Sequence, residues 1–434
     1  MRIHLIYPDW GHFPLVYRRY IPVMGPAIVA SLTPPDIDIV FTDERVDSID
    51  FDRDYDMVAI SMMTSQANRA YEISRIYREK DIPVVLGGVH VSLMPDDALQ
   101  NADAVVVGEA ESTWPDVIND LRKGNLKRVY SCKSPADEIP FPRWDIFENR
   151  TYLPMNSLQV SRGCPVNCDM CSVPQTYGTE FRMTGTERLL EDVKRLERYI
   201  FIINDNMHLA KRRVRGFLDG MAGIDKQWVG LAPLSIAEDS AYLDILKKSN
   251  CWAMYVDLSP WISASLNDMI DGVQVAKANI MIERIRERGI KVIASFVFGF
   301  DHDRKDIFEK TVRFAKDNNI EEAEFHILTP YPKSRLYERL DSEGRLITSD
   351  FSRYSTSSVV FRPANMSPDE LHEGYLYAWR EFYPKENFED TERGPVIKSF
   401  ACFPLNREDL LNYKGGRWVE AVMKKERQRQ EDRC

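Results

Sequence analysis

Ser161-Arg162-Gly163-Cys164-Pro165-Val166-Asn167-Cys168-Asp169-Met170-Cys171 is the stretch on which the reading of this 434-residue chain turns. It carries Cys-x3-Cys-x2-Cys, so three of the seven cysteines fall close together. Three thiolates on one short loop can fold round an iron–sulfur cluster, and a set of three leaves one iron of a [4Fe–4S] cubane open to an outside ligand. The competing reading is a zinc knuckle, which normally pairs Cys-x2-Cys units. No second pair exists here. Cys132, Cys251, Cys402 and Cys434 are scattered and read as core or surface thiols. Cys164, Cys168 and Cys171 are therefore the candidate metal ligands.

Working outward, the cysteines follow the run Leu158–Ser161, the first of six strand-like runs. The others are Ile200–Asn204, Trp228–Ile236, Trp252–Leu258, Val292–Phe298 and Glu324–Leu328, with helical stretches such as Glu187–Arg198, Ala276–Arg288 and Arg304–Asn318 between them. Six βα units are too few for a closed eight-stranded barrel and predict a partial (βα)6 TIM barrel over residues 151–345. The cysteine loop then lies at the mouth, where barrels carry their sites.

Upstream, residues 1–125 alternate short apolar runs with helical stretches, which predicts an α/β, doubly wound, Rossmann-like domain. Its strands are read at Ile3–Tyr7, Ile37–Thr42, Met57–Ser61, Val84–Leu86 and Ala104–Val107, with helices at Ala27–Leu32, Ala67–Glu79, Asp96–Gln100 and Trp114–Arg122. Residues 126–150 lose the rhythm, and Pro135, Pro140 and Pro142 mark a linker. Residues 346–434 read as a smaller, mainly helical region that includes Pro368–Phe382. Its Trp379, Phe382, Tyr383, Phe400 and Phe403 suit either a cover over the substrate or ordinary core.

A net charge of −10 argues against a nucleic-acid substrate, because phosphate binding needs a concentrated basic face. The basic end, Lys424 to Arg433, reads as a solvated helix end. No apolar run approaches the ~20 residues of a membrane span. The strand-like start Arg2–Tyr7 leaves no room for a signal peptide ahead of it, so a cytoplasmic location is expected.

The three-cysteine loop ahead of a partial barrel resembles the radical S-adenosylmethionine (SAM) superfamily. The resemblance implies a [4Fe–4S] cluster with SAM on its open iron, cleaved on reduction to methionine and a 5′-deoxyadenosyl radical that takes a substrate hydrogen. It also implies an external electron donor such as flavodoxin or ferredoxin. By the same resemblance Asp205, in Asn204-Asp205-Asn206, falls near the SAM amino group, although Asp205 also suits a helix cap. Ser295 and Phe298, in the run up to Gly299, fall beside the adenosyl part, and Thr329 near adenine. Two departures stand out. Met170 occupies a position that is usually aromatic, and the fourth strand ends in Asp257-Leu258-Ser259 where a glutamate is usual, leaving Ser259 or Asp257 as the ribose contact.

The first domain carries Leu86-Gly87-Gly88-Val89-His90 after its fourth strand and Val107-Gly108-Glu109-Ala110-Glu111 after its fifth. Both lie at strand carboxyl ends, where open α/β sheets bind ligands. With the cysteine loop they make the chain resemble the cobalamin-binding subgroup of radical SAM enzymes. The resemblance implies that Gly87, Gly88, Gly108, Glu109, Thr64 and Ser65, together with Asp43-Glu44-Arg45, surround the corrin and its tail. His90 would touch the cofactor edge or be held in a turn. No Asp-x-His-x-x-Gly motif for a lower histidine ligand is present.

The activity implied is methylation of an unactivated carbon of a small, apolar molecule by way of methylcobalamin. Cyclisation or rearrangement with the same cofactors is the alternative within the subgroup. A non-catalytic iron–sulfur protein, or a first domain that holds no cofactor, is the alternative outside it.

Overall fold

The computed structural model describes residues 1–10, 21–131, 138–148, 150, 152–205, 211–259, 273–384, 388–391 and 394–397. Cys132, Pro135, Asn206, Phe400, Phe403, Cys402, Cys434 and the basic stretch 424–433 lie outside these residues.

The first sheet contains β1 (Arg2–Tyr7), β2 (Asp38–Asp43), β3 (Met57–Ser61), β4 (Val84–Gly87), β5 (Ala104–Val107) and β6 (Val129–Ser131). All six strands are parallel, in the order β2-β1-β3-β4-β5-β6. Their apolar content divides by parity. Ile3, Leu5, Met57, Ala59, Val85, Ala104 and Val106 enter one core, and Ile6, Val58, Ile60, Val84, Leu86 and Val105 enter another on the opposite face. Helices cover both faces, as a parallel sheet requires. The sixth strand is a correction, because β6 falls where a linker was expected to have begun. Only Tyr130 of its three residues is buried, so the strand carries almost no hydrophobic signal.

The second sheet contains β7 (Met155–Gln159) and β10 (Tyr199–Ile203) through β14, namely β11 (Gln227–Leu231), β12 (Cys251–Asp257), β13 (Lys291–Phe298) and β14 (Glu322–Ile327). These are parallel in the order β14-β13-β12-β11-β10-β7, an open sequential sheet of six strands. That is the partial barrel. Between β7 and β10 the antiparallel pair β8 (Ser161–Arg162) and β9 (Arg182–Met183) clamps the base of the cysteine loop.

The helix Pro368–Phe382 is capped by Ser367, with Glu370 completing a reciprocal capping box. It packs on the outer side of β14 and does not cover the mouth. Trp379 meets Phe325 edge to face at 5.5 Å, and the Tyr383 hydroxyl bonds the backbone of Ala323. Trp379, Phe382 and Tyr383 are therefore core. A hairpin, β15 (Phe388–Thr391) with β16 (Gly394–Ile397), follows this helix. No described helix is long and apolar enough to cross a membrane.

Candidate active site between the two sheets

The cysteine loop leaves the barrel through a turn that only glycine tolerates. Gly163 has φ +82°, and a Cβ on it would lie 2.0 Å from the Glu180 carbonyl oxygen. Beyond it the Cys164 N–H donates to the Gly178 carbonyl and the Cys171 N–H to the Cys168 carbonyl. The far side is pinned by the helix Arg335–Ser342. The Leu336 N–H donates to the Asp169 carbonyl, and Arg335 pairs with the Asp169 carboxylate at 2.7 Å.

All three thiols are free, with Cys168 exposed and the others half-buried. Burial, and then the neighbouring Cys164 thiol, push Cys168 above the ordinary thiol range; burial does the same for Cys171. Among the described residues no three His, Cys, Asp or Glu side chains are drawn tightly enough to grip a single metal ion. A four-iron cubane holds its thiolates further apart than one ion does, and three mutually interacting thiols on a short loop suit that wider cage.

Asp205, at the end of β10, sits beside this loop. Its carboxyl accepts from the Gly163 N–H, while Oδ2 is buried with no partner. Burial raises its pKa above the usual carboxylate value. A buried, unpartnered carboxylate oxygen facing a site is costly unless a ligand donor meets it.

Asp205 and the loop residue Tyr177 open onto a cavity of about 840 Å³. One wall is built from the carboxyl ends of the first sheet: Tyr7, Arg45, Ser61 to Met63, Gly88 and Gly108. The other is the inner face of the barrel, from Ser157 and Gln159 round to Glu324 and His326. A smaller cavity of about 120 Å³, lined in part by Gly25, Gly87, Gly88 and Gly108, runs down against the first sheet. Gly88 has φ +100° and lies so close to Met62 that a Cβ would meet its carbonyl oxygen at 2.5 Å. The large, mostly apolar space and the glycine-lined cleft fit a bulky flat cofactor with a tail.

A buried ion cluster ties the two sheets together at this cavity. Arg162 reaches Glu109 and Glu111, each at 2.7 Å, and Arg182 also pairs with Glu109. Arg162 lies 5.4 Å from the Tyr177 ring. Opposite, Arg45 binds Asp43 through Nε and Nη2 at 2.8 and 2.6 Å and stacks on Tyr7 and Trp10.

Several expected contacts are placed elsewhere. Glu109 reaches the rim of the small cavity, but its carboxylate is engaged by two guanidinium groups. Thr64 and Ser65 are buried and turn towards Phe351–Arg353, so Ser61, Met62 and Met63 line the cavity instead. His90 is fully buried away from it, its ring 4.9 Å from Phe351, with both nitrogens unbonded. Phe298 stands on the outward parity of β13, stacked on Phe325 and edge-on to Phe308. Thr329 spends its hydroxyl on the carbonyls of Ile327 and Ser355. Ser259 accepts from the Val297 N–H at 2.6 Å and locks β12 to β13 at the rim. Ser295 bonds Tyr255 inside the barrel, and Met170 packs on the barrel core beside the loop. Arg182, Tyr255, Glu324 and His326 are the site residues that sequence reasoning missed.

A family model described as "B12 binding domain" matches residues 30–118, and one described as "Domain of unknown function (DUF4070)" matches residues 334–391. Bacteriochlorophyllide d C-8(2)-methyltransferase of Chlorobaculum tepidum is 28% identical over 407 residues, covering 87% of this chain and 90% of that one. Over most of its length the chain is thus similar to methyltransferases, with a B12-binding domain match in its first domain. The anaerobic magnesium-protoporphyrin IX monomethyl ester cyclase of Rubrivivax gelatinosus, 23% identical, covers 89% of this chain and is itself covered to 78%. The fold is that of TsrM, a radical SAM methyltransferase from Kitasatospora setae solved with cobalamin and a [4Fe–4S] cluster. The TM-score is 0.68 at 15% identity, over 99% of each chain.

Proposed function

We propose that this radical SAM chain is a cobalamin-dependent methyltransferase acting on an unactivated carbon of a small, largely apolar molecule. One observation carries the reading: Tyr177, six residues beyond the third cysteine, and Asp205 open onto the same cavity as the glycine-bearing ends of the first sheet. When bound, the cluster with SAM supplies a radical able to take a hydrogen atom from carbon, and the corrin supplies the methyl group. Cys164, Cys168 and Cys171 hold the cluster. The unpartnered Oδ2 of Asp205 takes the SAM ammonium, a charge-assisted contact that also relieves its burial. Met170 lies where adenine would pack, and Asp257 with Ser259 borders the ribose. Gly88, Gly108 and the Ser61–Met63 turn bring backbone against the corrin, and the Gly87 cleft takes its tail. The Arg162–Glu109 cluster fixes the distance between the two halves.

The methyltransferase and cyclase relatives act on tetrapyrroles by name, which supports an apolar substrate and keeps cyclisation as a second reading. A one-electron donor such as flavodoxin or ferredoxin completes the assignment, and we place the enzyme in the cytoplasm. The test is iron, sulfide and cobalt quantitation with a visible spectrum on protein purified without oxygen and supplied with hydroxocobalamin. About four iron and one cobalt per chain are expected for one cubane and one corrin. Iron without cobalt overturns the methyltransferase. With substrate, S-adenosylhomocysteine beside 5′-deoxyadenosine marks methylation, and 5′-deoxyadenosine alone marks the cyclase chemistry.

A further inference from the structure

A barrel interior is normally filled by its own side chains, yet here the large cavity continues down the inside of the barrel, away from the mouth. On β7 its lining runs from Gln159 through Ser157 to Met155, a depth of about 13 Å at about 3.3 Å per residue. Leu153, Met155 and Val229 belong to one apolar cluster at this lower end. Phe201, Trp252 and Ile293 pack on it, and all six line the cavity.

Trp252 reaches the lumen through an irregularity of its strand. Trp228 pairs with Cys251 and Val229 with Ala253, so Trp252 is the extra residue of a β-bulge. On either side of it Cys251 and Met254 pack outside the barrel, while Ala253 and Tyr255 face inside. The bulge turns the Trp252 indole inside as well, where it meets Tyr199 edge to face at 5.9 Å. Tyr199, paired with Met155 at the start of β10, is itself buried. Together the two rings make a floor.

The polar groups of the lumen, on β12 and β14, are engaged already. Tyr255 donates its hydroxyl proton to Glu324 Oε2 at 2.7 Å and lies 3.1 Å from His326 Nε2. His326 Nδ1 is in turn 3.1 Å from the Thr356 hydroxyl, and Glu322 has a partner of its own. What the lumen leaves for a ligand is therefore apolar surface. A polar group sent down it would lose its hydration without a new bond, whereas each buried methylene gains about four-fold in affinity.

We propose that the barrel lumen is a chain-binding subsite, and that the substrate carries a straight hydrocarbon arm. The arm runs down the wall of β7, β10 and β11 and ends against Trp252, while the reacting carbon stays at the mouth beside Asp205. Trp252 thereby sets the length of arm that the enzyme accepts. This deepens the function proposed above and rests on it only in placing the reacting carbon at the mouth.

The test is isothermal titration of the cluster- and cobalamin-loaded protein with straight 1-alkanols, from 1-butanol to 1-dodecanol. Affinity should rise about four-fold per added methylene and stop rising at the chain length that meets the floor. The branched isomer 2-ethyl-1-hexanol should bind about ten-fold weaker than 1-octanol. Trp252→Ala lowers the floor and should move the stop to chains about two methylenes longer. Val229→Phe narrows the lumen and should move the stop to shorter chains, and this variant carries the test if Trp252→Ala fails to load its cofactors. A series without length dependence overturns the proposal, as does a gain that never stops or a stop that neither substitution moves. Equal affinity for the branched and straight octanols overturns it too. A stop that moves as expected in protein that takes up no cobalt keeps the chain subsite and loses the methyltransferase. Cobalt-loaded protein that forms S-adenosylhomocysteine but shows no length dependence does the reverse.

Discussion

The two parallel sheets meet the same cavity in different ways. β1 to β5 are apolar on both faces, so the first sheet can offer a ligand only the ends of its strands, where Tyr7, Ser61, Gly88 and Gly108 lie. β7 and β10 to β14 bury one face and turn the other to the cavity, so the barrel offers side chains along the strand length. A sheet that binds with its ends works through backbone and glycine, and one that binds with a face works through side-chain chemistry. Substitutions should therefore fail differently on the two sides.

The largest expected effect tests whether the two halves load separately. Cys168→Ala removes one of three cluster ligands, so iron should fall from about four per chain towards zero and SAM cleavage should vanish. Cobalt uptake should stay near its original level, because Cys168 lies outside the cavity wall. Simultaneous loss of cobalt would erase the distinction between the halves. Arg162→Ala comes next, since it acts on both. It leaves Glu111 buried without its guanidinium and Glu109 with Arg182 alone. Breaking a buried pair this way costs about 3–5 kcal/mol. The unfolding midpoint in urea should drop accordingly, and iron and cobalt occupancy should fall together.

The sequence made the first sheet legible because short apolar runs, helix starts and turn glycines agreed over β1 to β5. Trp114–Arg122 and Pro368–Phe382 also fall where the pattern puts them. β6 was illegible because a three-residue edge strand with one buried side chain resembles any polar loop. In the barrel the strands were visible but their facing was not. Phe298 looked like a cofactor contact until the observed register put Ser295 and Val297 inward and Phe298 outward. The alternation of β14, Glu-Ala-Glu-Phe-His-Ile, was present in the sequence all along. It marks a strand with one polar face, and inside a barrel a polar face is a site. Glu109 and Arg162 could not be joined by spacing, because a separation of 53 residues says nothing of where two domains touch.

Gly88→Ala sharpens the comparison from the corrin side. At φ +100° with Met62 backbone 2.5 and 2.8 Å from any Cβ, the turn must move. Strain of about 2–3 kcal/mol is expected. Cobalt binding should weaken while iron content holds, the converse of Cys168→Ala. Equal loss of both metals would mean that the turn supports the whole fold and not one ligand.

The smallest effect separates the cavity side of the β4 turn from its core side. Two residues beyond Gly88, His90 is buried against Phe351 and near Tyr71 and Asp97, and burial lowers its pKa to about 4, Asp97 opposing the shift. The unfolded chain, with the ordinary value near 6.5, therefore binds more protons between about pH 6.5 and 4, so stability must fall as pH drops through that window. By pH 5 the loss attributable to His90 is about 2 kcal/mol, from roughly 1.5 units at about 1.4 kcal/mol each. His4, bonded to Tyr77 and Thr42, is lowered to about 4 in the same way and contributes a parallel loss. His90→Phe should remove roughly half of the acid sensitivity seen in urea unfolding between pH 7 and pH 5, with cobalt binding unchanged at pH 7. If cobalt binding falls while the acid slope persists, the His90 ring belongs to the corrin site and the first sheet binds with more than its strand ends.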